Sequence, residues 1–109
     1  MKELIKQYLG ELRAAGCSNH TIEMYGHHLK KFEQFCEERG IDFRQVNGKE
    51  SRAFRNWLIS QNLAPKTINT ILSAVKSFYD FLLEEEEVRG NPITKKLRVT
   101  EEKVSIPRR

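Results

Sequence analysis

The chain carries one sequence pattern twice, and this repeat limits its possible folds more than any other feature. The first copy runs from Ser18 to Phe35 and the second from Ala64 to Phe81, 46 residues later. Thr-Ile opens both copies, an aliphatic residue followed by lysine comes at the same offset, and two phenylalanines close both. Such a repeat indicates one helical unit used twice. Two copies are too few for a solenoid, so the pattern favours a small globule of two crossed helical hairpins.

Apolar residues at helical spacing predict four helices. Their expected bounds are about Lys2–Ala14, Asn19–Glu38, Gly48–Gln61 and Pro65–Glu86. Ser18 and Asn47 are predicted N-caps, because their side chains accept hydrogen bonds from the first turn of a helix. Gly16 and Gly40 are predicted to end the first two helices, because glycine adopts the left-handed conformation without steric cost. The sequence therefore predicts an all-α fold, a compact orthogonal bundle of about four helices.

A domain boundary is predicted after residue 90. Residues 1–90 hold all the periodic segments, and Gly90-Asn91-Pro92 is a strong signal for the end of a helix. Residues 91–109 are basic and show no apolar period, which is typical of a linker. The chain ends at Pro107-Arg108-Arg109 without a closing element, so we expect it to be part of a longer protein.

The positive charge of the chain is unevenly distributed. The net charge is +4, but the residues from Val88 onward carry seven basic and two acidic groups, which leaves the helical body near neutral. The fourth predicted helix has Lys66 and Lys76 and no acid up to Tyr79, and then five acids between Asp80 and Glu87. This order opposes the helix dipole at a cost of about a few tenths of a kcal/mol per group. It also keeps the helix start favourable for an anion such as phosphate.

Metal, cofactor and enzyme functions are not expected. His20, His27 and His28 lack a carboxylate or cysteine that would complete a recognisable ligand set. Cys17 and Cys36 have no partner at metal-ligand spacing. No glycine-rich phosphate loop and no catalytic constellation is present, so we expect no cofactor and no catalysis by this chain.

A membrane role is not expected either. No apolar run approaches the ~18 residues that span a bilayer. The start Met1-Lys2-Glu3 carries an early acid and is not followed by a small-residue cleavage site, so it does not resemble a signal peptide. The expected compartment is the cytoplasm.

The motifs of both copies resemble the N-terminal core-binding domain of tyrosine recombinases (phage integrases), also called the SAM-like integrase domain. The resemblance covers nearly all of the chain, from Lys2 to about Arg109, and depends on the order and spacing of its elements. The overall pattern is similar to Xer-type recombinases and to integrase-like transposases of mobile elements. The matching segments include Ser18-x-x-Thr21-Ile22-x-x-Tyr25, Leu63-Ala64-Pro65-Lys66-Thr67-Ile68-Asn69, Leu72-Ser73-Ala74-Val75-Lys76-Ser77-Phe78 and Asn91-Pro92-Ile93.

The resemblance implies that the chain forms one half of a clamp around double-stranded DNA. Its second and fourth helices would then face the major groove. The other half is a C-terminal catalytic domain that carries the catalytic residues of the family and is absent here. The chain is therefore not expected to cut DNA, and no catalytic residue is assigned. The implied partners are duplex DNA, that catalytic domain and neighbouring recombinase protomers on the DNA.

The resemblance also implies individual DNA-facing residues. Positions matching Met24, Lys66 and Thr70 touch DNA in a phage recombinase of this family. Lysines at such places pair with phosphates, and Met24 is suited to contact with a thymine methyl group. By helical geometry, further polar residues lie on the same outer surfaces: His20, Thr21, His28, Lys31, Thr67, Ser73 and Lys76.

Two features of these helices leave room for other outcomes. The hydroxyls of Thr21 and Thr67 are suited either to a bond with the local backbone or to a phosphate oxygen. Ala64 stands where the family often has serine, and the fourth helix has fewer arginines than usual, so we expect weak DNA binding, about 10⁻⁴–10⁻⁶ M. The alternative function is a helical protein-interaction module that does not bind DNA, which the near-neutral body also permits.

Overall fold

A computed structural model describes residues 1–100, and this part of the chain forms four α-helices joined by short loops. The helices are Lys2–Ala14 (α1), Asn19–Arg39 (α2), Gly48–Ser60 (α3) and Pro65–Glu84 (α4). Two 3₁₀ turns, Phe43–Gln45 and Lys95–Leu97, complete the regular structure of residues 1–100, which contain no strand. The predicted all-α bundle of about four helices is confirmed.

The starts of α2, α3 and α4 follow from local side chains. Ser18 Oγ accepts a hydrogen bond of 3.1 Å from the Thr21 N–H and so caps α2. Asn47 caps α3, as the sequence predicts, and forms a reciprocal capping box with Glu50. Helix α4 starts with Pro65, where the missing N–H costs nothing, and Ala64 before it offers no side-chain cap.

The ends of the long helices differ from the expected bounds by one or two residues. Helix α2 extends to Arg39 before Gly40 turns the chain at a left-handed φ of 64°. Helix α4 stops at Glu84, two residues early, and Glu86 takes a φ of 60°. The run of glutamates disfavours extension of α4 beyond Glu84, because carboxylates are unfavourable at the negative end of the helix dipole.

Helix α4 supplies the largest share of the core. The apolar residues that recur at helical spacing along α4 are buried, as are Leu29 and Phe32 of α2. The ring of Phe32 lies edge-on to Phe54 of α3, with 5.1 Å between ring centroids, and to Tyr79 of α4, with 5.8 Å. The core residues of α4 are Ile68, Ile71, Leu72, Val75, Phe78, Tyr79 and Leu82.

The loop between α2 and α3 is fixed to the same core. Phe43 is buried, and its backbone oxygen accepts a hydrogen bond of 2.6 Å from the Tyr79 hydroxyl. At the surface, Arg44 forms an ion pair of 2.8 Å with Glu87, which follows α4. Phe43 therefore anchors this loop to the core.

Residues 91–99, named here the C-terminal segment, pack on the bundle instead of leaving it. Ile93 and Leu97 are buried in the core. The side-chain amide of Asn69, in α4, donates a hydrogen bond of 2.8 Å to the Val99 oxygen and accepts one of 2.7 Å from the Val99 N–H. Ser51 of α3 donates a bond of 3.1 Å to the backbone oxygen of Pro92.

This packing differs from the expectation of an aperiodic linker from residue 91 onward. Ile93 and Leu97 are only two apolar residues, which is too few to show a period, and their burial depends on α3 and α4. Residues 101–109, the rest of the expected linker, lie outside the described residues. A linker role for this region therefore stays a prediction.

Candidate nucleic-acid interface

The first turns of α2 and α4 contain no acidic residue. The two starts nevertheless differ in their hydrogen bonding. In α2, the N–H of Thr21 is satisfied by Ser18. In α4, the N–H groups of Lys66 and Thr67 have no hydrogen-bond acceptor within residues 1–100. Unpaired N–H groups at a positive helix end favour an anion, so α4 presents the more open of the two starts.

On α2, His20 and Met24 are exposed, Met24 to 38% of its surface. Thr21 is half-buried, and its hydroxyl oxygen accepts a hydrogen bond of 3.0 Å from the Ser18 hydroxyl. The Thr21 hydroxyl oxygen accepts this local bond, but the hydroxyl proton has no acceptor among the described residues. The hydroxyl can therefore donate a hydrogen bond to an external oxygen.

On α4, the side chains of Lys66, Thr67, Thr70 and Ser73 are all exposed. The Thr70 hydroxyl donates a hydrogen bond of 2.9 Å to the backbone oxygen of Lys66, one turn earlier. This bond uses the only proton of the hydroxyl, so Thr70 meets a ligand as an acceptor unless it rotates.

Two of the residues predicted to face DNA are turned partly into the protein. Lys31 donates a hydrogen bond of 2.8 Å to Gln61 Oε1, and its Nζ lies 5.9 Å from the centre of the Trp57 ring. These contacts tie α2 to the end of α3 and reduce the reach of Lys31 towards an outside partner. Helix periodicity predicts that Lys31 lies off the apolar face of α2. It does not predict the contact with Gln61, because Gln61 follows a different helix.

His28 is the second of these residues. Its Nε2 is buried and has no hydrogen-bond partner within the described part of the chain. Burial lowers the pKa of His28 below its usual value, and the neighbouring His27 lowers it further. The neutral form is therefore favoured, so His28 is a weaker candidate for a phosphate contact than a lysine.

Ser73 and Lys76 share a groove of about 400 Å³ with the C-terminal segment. Thr94 and Lys95 line the opposite side, so the groove brings lysines of two elements and two hydroxyls together. Lys76 Nζ also lies 3.7 Å from Asp80 Oδ2, one turn along α4. Exposed pairs of this kind are weak, about 0.3–0.5 kcal/mol, so Lys76 remains available to a stronger anion.

Sequence reasoning did not find the contribution of Thr94 and Lys95. The sequence predicts a linker for this segment, and its position beside α4 depends on the hydrogen bonds of Asn69, a buried polar residue at 3% exposure. In the sequence, the only sign of this contribution is the run of basic residues after the last helix.

Buried groups that carry reactive atoms hold their protons. Burial, and then the carboxylates of Asp42, Glu50, Glu33 and Glu37, raise the pKa of Cys36 to about 12. Burial also raises the pKa of Tyr8 to about 12, with Ser77 acting in the opposite direction through a hydrogen bond. The pKa of Tyr79 is raised further by burial and by nearby Cys36, Asp42 and Glu50. Cys36 and the two tyrosines therefore act as packing groups rather than nucleophiles.

The described residues hold neither a cluster of metal ligands nor a membrane-spanning helix. Within residues 1–100, no three side chains of histidine, cysteine, aspartate or glutamate come together in a way that could hold a metal ion. None of the helices in the same part of the chain is both long enough and apolar enough to cross a bilayer.

Comparison with known families decides how these features are interpreted. Residues 5–86 match the family described as phage integrase, N-terminal SAM-like domain. The chain belongs to this family. It is thus an N-terminal domain of the tyrosine recombinase type, and the resemblance noted from the sequence is confirmed.

Individual relatives give the same assignment. The chain is 31% identical over 93 residues to tyrosine recombinase XerC of Staphylococcus haemolyticus, covering 84% of this chain and 31% of the relative. It is 28% identical over 91 residues to tyrosine recombinase XerD of Shewanella oneidensis, covering 83% of this chain and 30% of the relative. A third relative, XerC of Bacillus pumilus, is 36% identical over 73 residues, or 66% of this chain and 24% of the relative.

The chain thus spans about a third of the length of the first two relatives. No solved structure matches it significantly.

Proposed function

We propose that this chain is the DNA-binding, core-binding domain of a site-specific tyrosine recombinase, integrase or transposase. It clamps a recombination half-site from one side and positions the enzyme for DNA integration and recombination. The observation that carries this proposal is the pair of acid-free starts of α2 and α4 in a chain that belongs to the integrase family. The chemistry of cutting belongs to a catalytic domain outside this chain, and the relatives' greater length supports such a domain.

Within this proposal, α4 makes the main phosphate contacts. Lys66 and the free N–H groups of the first turn supply positive charge and donors. Lys76 and Ser73 extend this surface along the helix, and Lys95 extends it across the groove. On α2, His20, Thr21 and Met24 are the exposed or half-exposed candidates, while Lys31 and His28 contribute less because of their internal contacts.

The rest of the proposal concerns partners and location. Neighbouring recombinase protomers on the same DNA are the protein partners, together with the catalytic domain. The cytoplasm is the compartment in which a bacterial-type recombinase meets its DNA.

A titration with labelled duplex DNA at two salt concentrations tests the proposal. The binding constant K falls as salt is added, and the slope of log K against log salt is about −0.9 for each phosphate that a lysine neutralises. With Lys66 and Lys76 as the main ion contacts, we expect a slope of about −2 and a Kd near ~10⁻⁴–10⁻⁶ M at physiological salt. Absence of binding even at low salt would instead favour the alternative, a helical protein-interaction module.

The location of the interface is tested separately by chemical-shift mapping with the same duplex. We expect the largest shifts in the first two turns of α2 and α4. Shifts confined to α1 or α3 would contradict the proposed surface even if DNA binds.

A further inference from the structure

A second charged groove, of the opposite sign, lies between the start of α1, the last turns of α2 and the loop that follows α2. Its volume is about 650 Å³. Four carboxylates line it, against one lysine and the amino group of Met1. We name it the acidic groove, and its ionisable side chains include Lys2, Glu3, Glu33, Glu37 and Asp42.

Glu33 is the unusual member of the acidic groove. It is only 8% exposed, yet it has no hydrogen bond and no ion pair with any described residue. Most of the Glu33 side chain is covered by protein, but its carboxylate oxygens are not fully enclosed and reach solvent at the groove. A cation that enters the groove would therefore lie beside a carboxylate that has no partner among the described residues.

The carboxylates of the groove are close enough to act on Cys36, which also lines it. After burial, the causes that raise the pKa of Cys36 are all carboxylates, including Asp42, Glu33 and Glu37 of the groove. These carboxylates therefore act together on one point. A positively charged group entering the groove would be attracted by all of them.

The apolar residues in the walls of the acidic groove favour a cation that carries an apolar stem. Ile41 and Phe43 supply apolar surface beside the carboxylates, which suits the methylene stem of a long side chain. A guanidinium is planar, weakly hydrated and able to bond two carboxylate oxygens at once. We propose that the acidic groove is a docking site for an arginine side chain presented by another protein chain.

This proposal goes beyond DNA binding, because the groove involves none of the residues assigned to DNA. It concerns the end of α2 that carries Glu33 and Glu37, whereas the proposed DNA contacts of α2 lie near its start. One arginine-bearing partner can therefore occupy the groove while DNA is bound elsewhere.

A peptide titration of the full chain followed by NMR tests the proposal. The probe is acetyl-Gly-Arg-Gly-amide, and the control peptide carries citrulline, which has nearly the same shape but no charge. We expect saturable shifts of the amides of residues 33–43 with the arginine peptide and none with the citrulline peptide. Equal shifts with both peptides, or no saturable shift with a Kd below about 10 mM, would overturn the proposal.

Variants locate the site. Glu33→Gln keeps the size of the side chain and removes the charge, and we expect it to weaken peptide binding at least tenfold, about 1.4 kcal/mol. Glu38→Gln is the matched control, because Glu38 is exposed on the same helix, bonds Gln34 and lies outside the groove. Unchanged binding by Glu33→Gln, or equal weakening by Glu38→Gln, contradicts the proposed site.

Folding of each variant is checked by amide-shift dispersion and thermal unfolding. If Glu33→Gln does not fold, Glu37→Gln replaces it, since Glu37 is exposed and also lines the groove. Binding that is weaker in Glu37→Gln than in Glu38→Gln supports the proposal, and equal binding by the two overturns it.

Discussion

At the scale of single residues, Glu33 and Tyr79 occupy matching positions of the repeat, and both are buried. The Tyr79 hydroxyl bonds the Phe43 oxygen, whereas Glu33 has no partner among the described residues. The inward position of Tyr79 was predictable, because it lies on the apolar stripe of its own helix. The burial of Glu33 was not, because helix periodicity does not report which other elements pack over a polar position.

Lys66 is the residue on which the proposed DNA contact can be tested most directly. Changing Lys66→Glu removes a phosphate partner and places a carboxylate at the start of α4. We expect DNA binding to weaken by about 1 kcal/mol or more and the salt slope to fall by about 1. The thermal midpoint should not fall and should rise slightly, because Lys66 is exposed, makes no ion pair within residues 1–100, and is replaced by a carboxylate that the dipole favours at a helix start.

The control for this test is Lys6→Glu, an exposed position on α1 with the same change in net charge. Fluorescence anisotropy with duplex DNA measures both variants. If the two weaken DNA binding equally, the effect comes from net charge and Lys66 is not at the interface.

At the scale of elements, the two copies of the repeat begin alike but are capped differently. Ser18 and Ala64 are equivalent positions, and only Ser18 offers a hydroxyl to the third N–H of its helix. Both starts were predictable from the sequence, because a cap depends on residues within four positions of each other. The end of α4 was less predictable, since a run of glutamates weakens a helix gradually and marks no single last residue.

Ala64→Ser transfers the cap of α2 to α4. We expect the introduced serine hydroxyl to accept the Thr67 N–H and to raise the free energy of unfolding by about 1 kcal/mol. The reverse change, Ser18→Ala, should lower it by a similar amount. Urea denaturation measures both, and a value for Ala64→Ser at or below that of the unchanged chain would show that α4 cannot adopt the cap geometry.

At the scale of the whole molecule, the main departure from expectation is the C-terminal segment. The bundle itself was predictable, because four strong apolar periods leave few alternatives for a chain of this length. The docking of residues 91–99 was not, because it depends on Asn69, a polar residue whose partner is 30 positions away. The domain boundary predicted after residue 90 therefore does not coincide with the limit of the packed structure.

Leu97→Ala tests whether the C-terminal segment belongs to the folded unit. Leu97 is 4% exposed, so we expect its truncation to lower the free energy of unfolding by about 2–5 kcal/mol. The matched control is Lys96→Ala, at an exposed neighbouring position, which should be close to neutral. Equal stability of the two variants would mean that the segment is only loosely attached and behaves as a linker from residue 91.

The two hydrogen bonds between Asn69 and Val99 fix the point from which the chain continues. That exit lies beside α4, one turn from Lys66 and Ser73 along the helix that we propose to touch DNA. In the recombinase that we propose, a domain tethered there would be held at high effective concentration near the same stretch of duplex, and most strongly when the length of the tether matches the distance to be spanned. The amide of Asn69 would thereby set the point from which the proposed catalytic domain searches for its DNA.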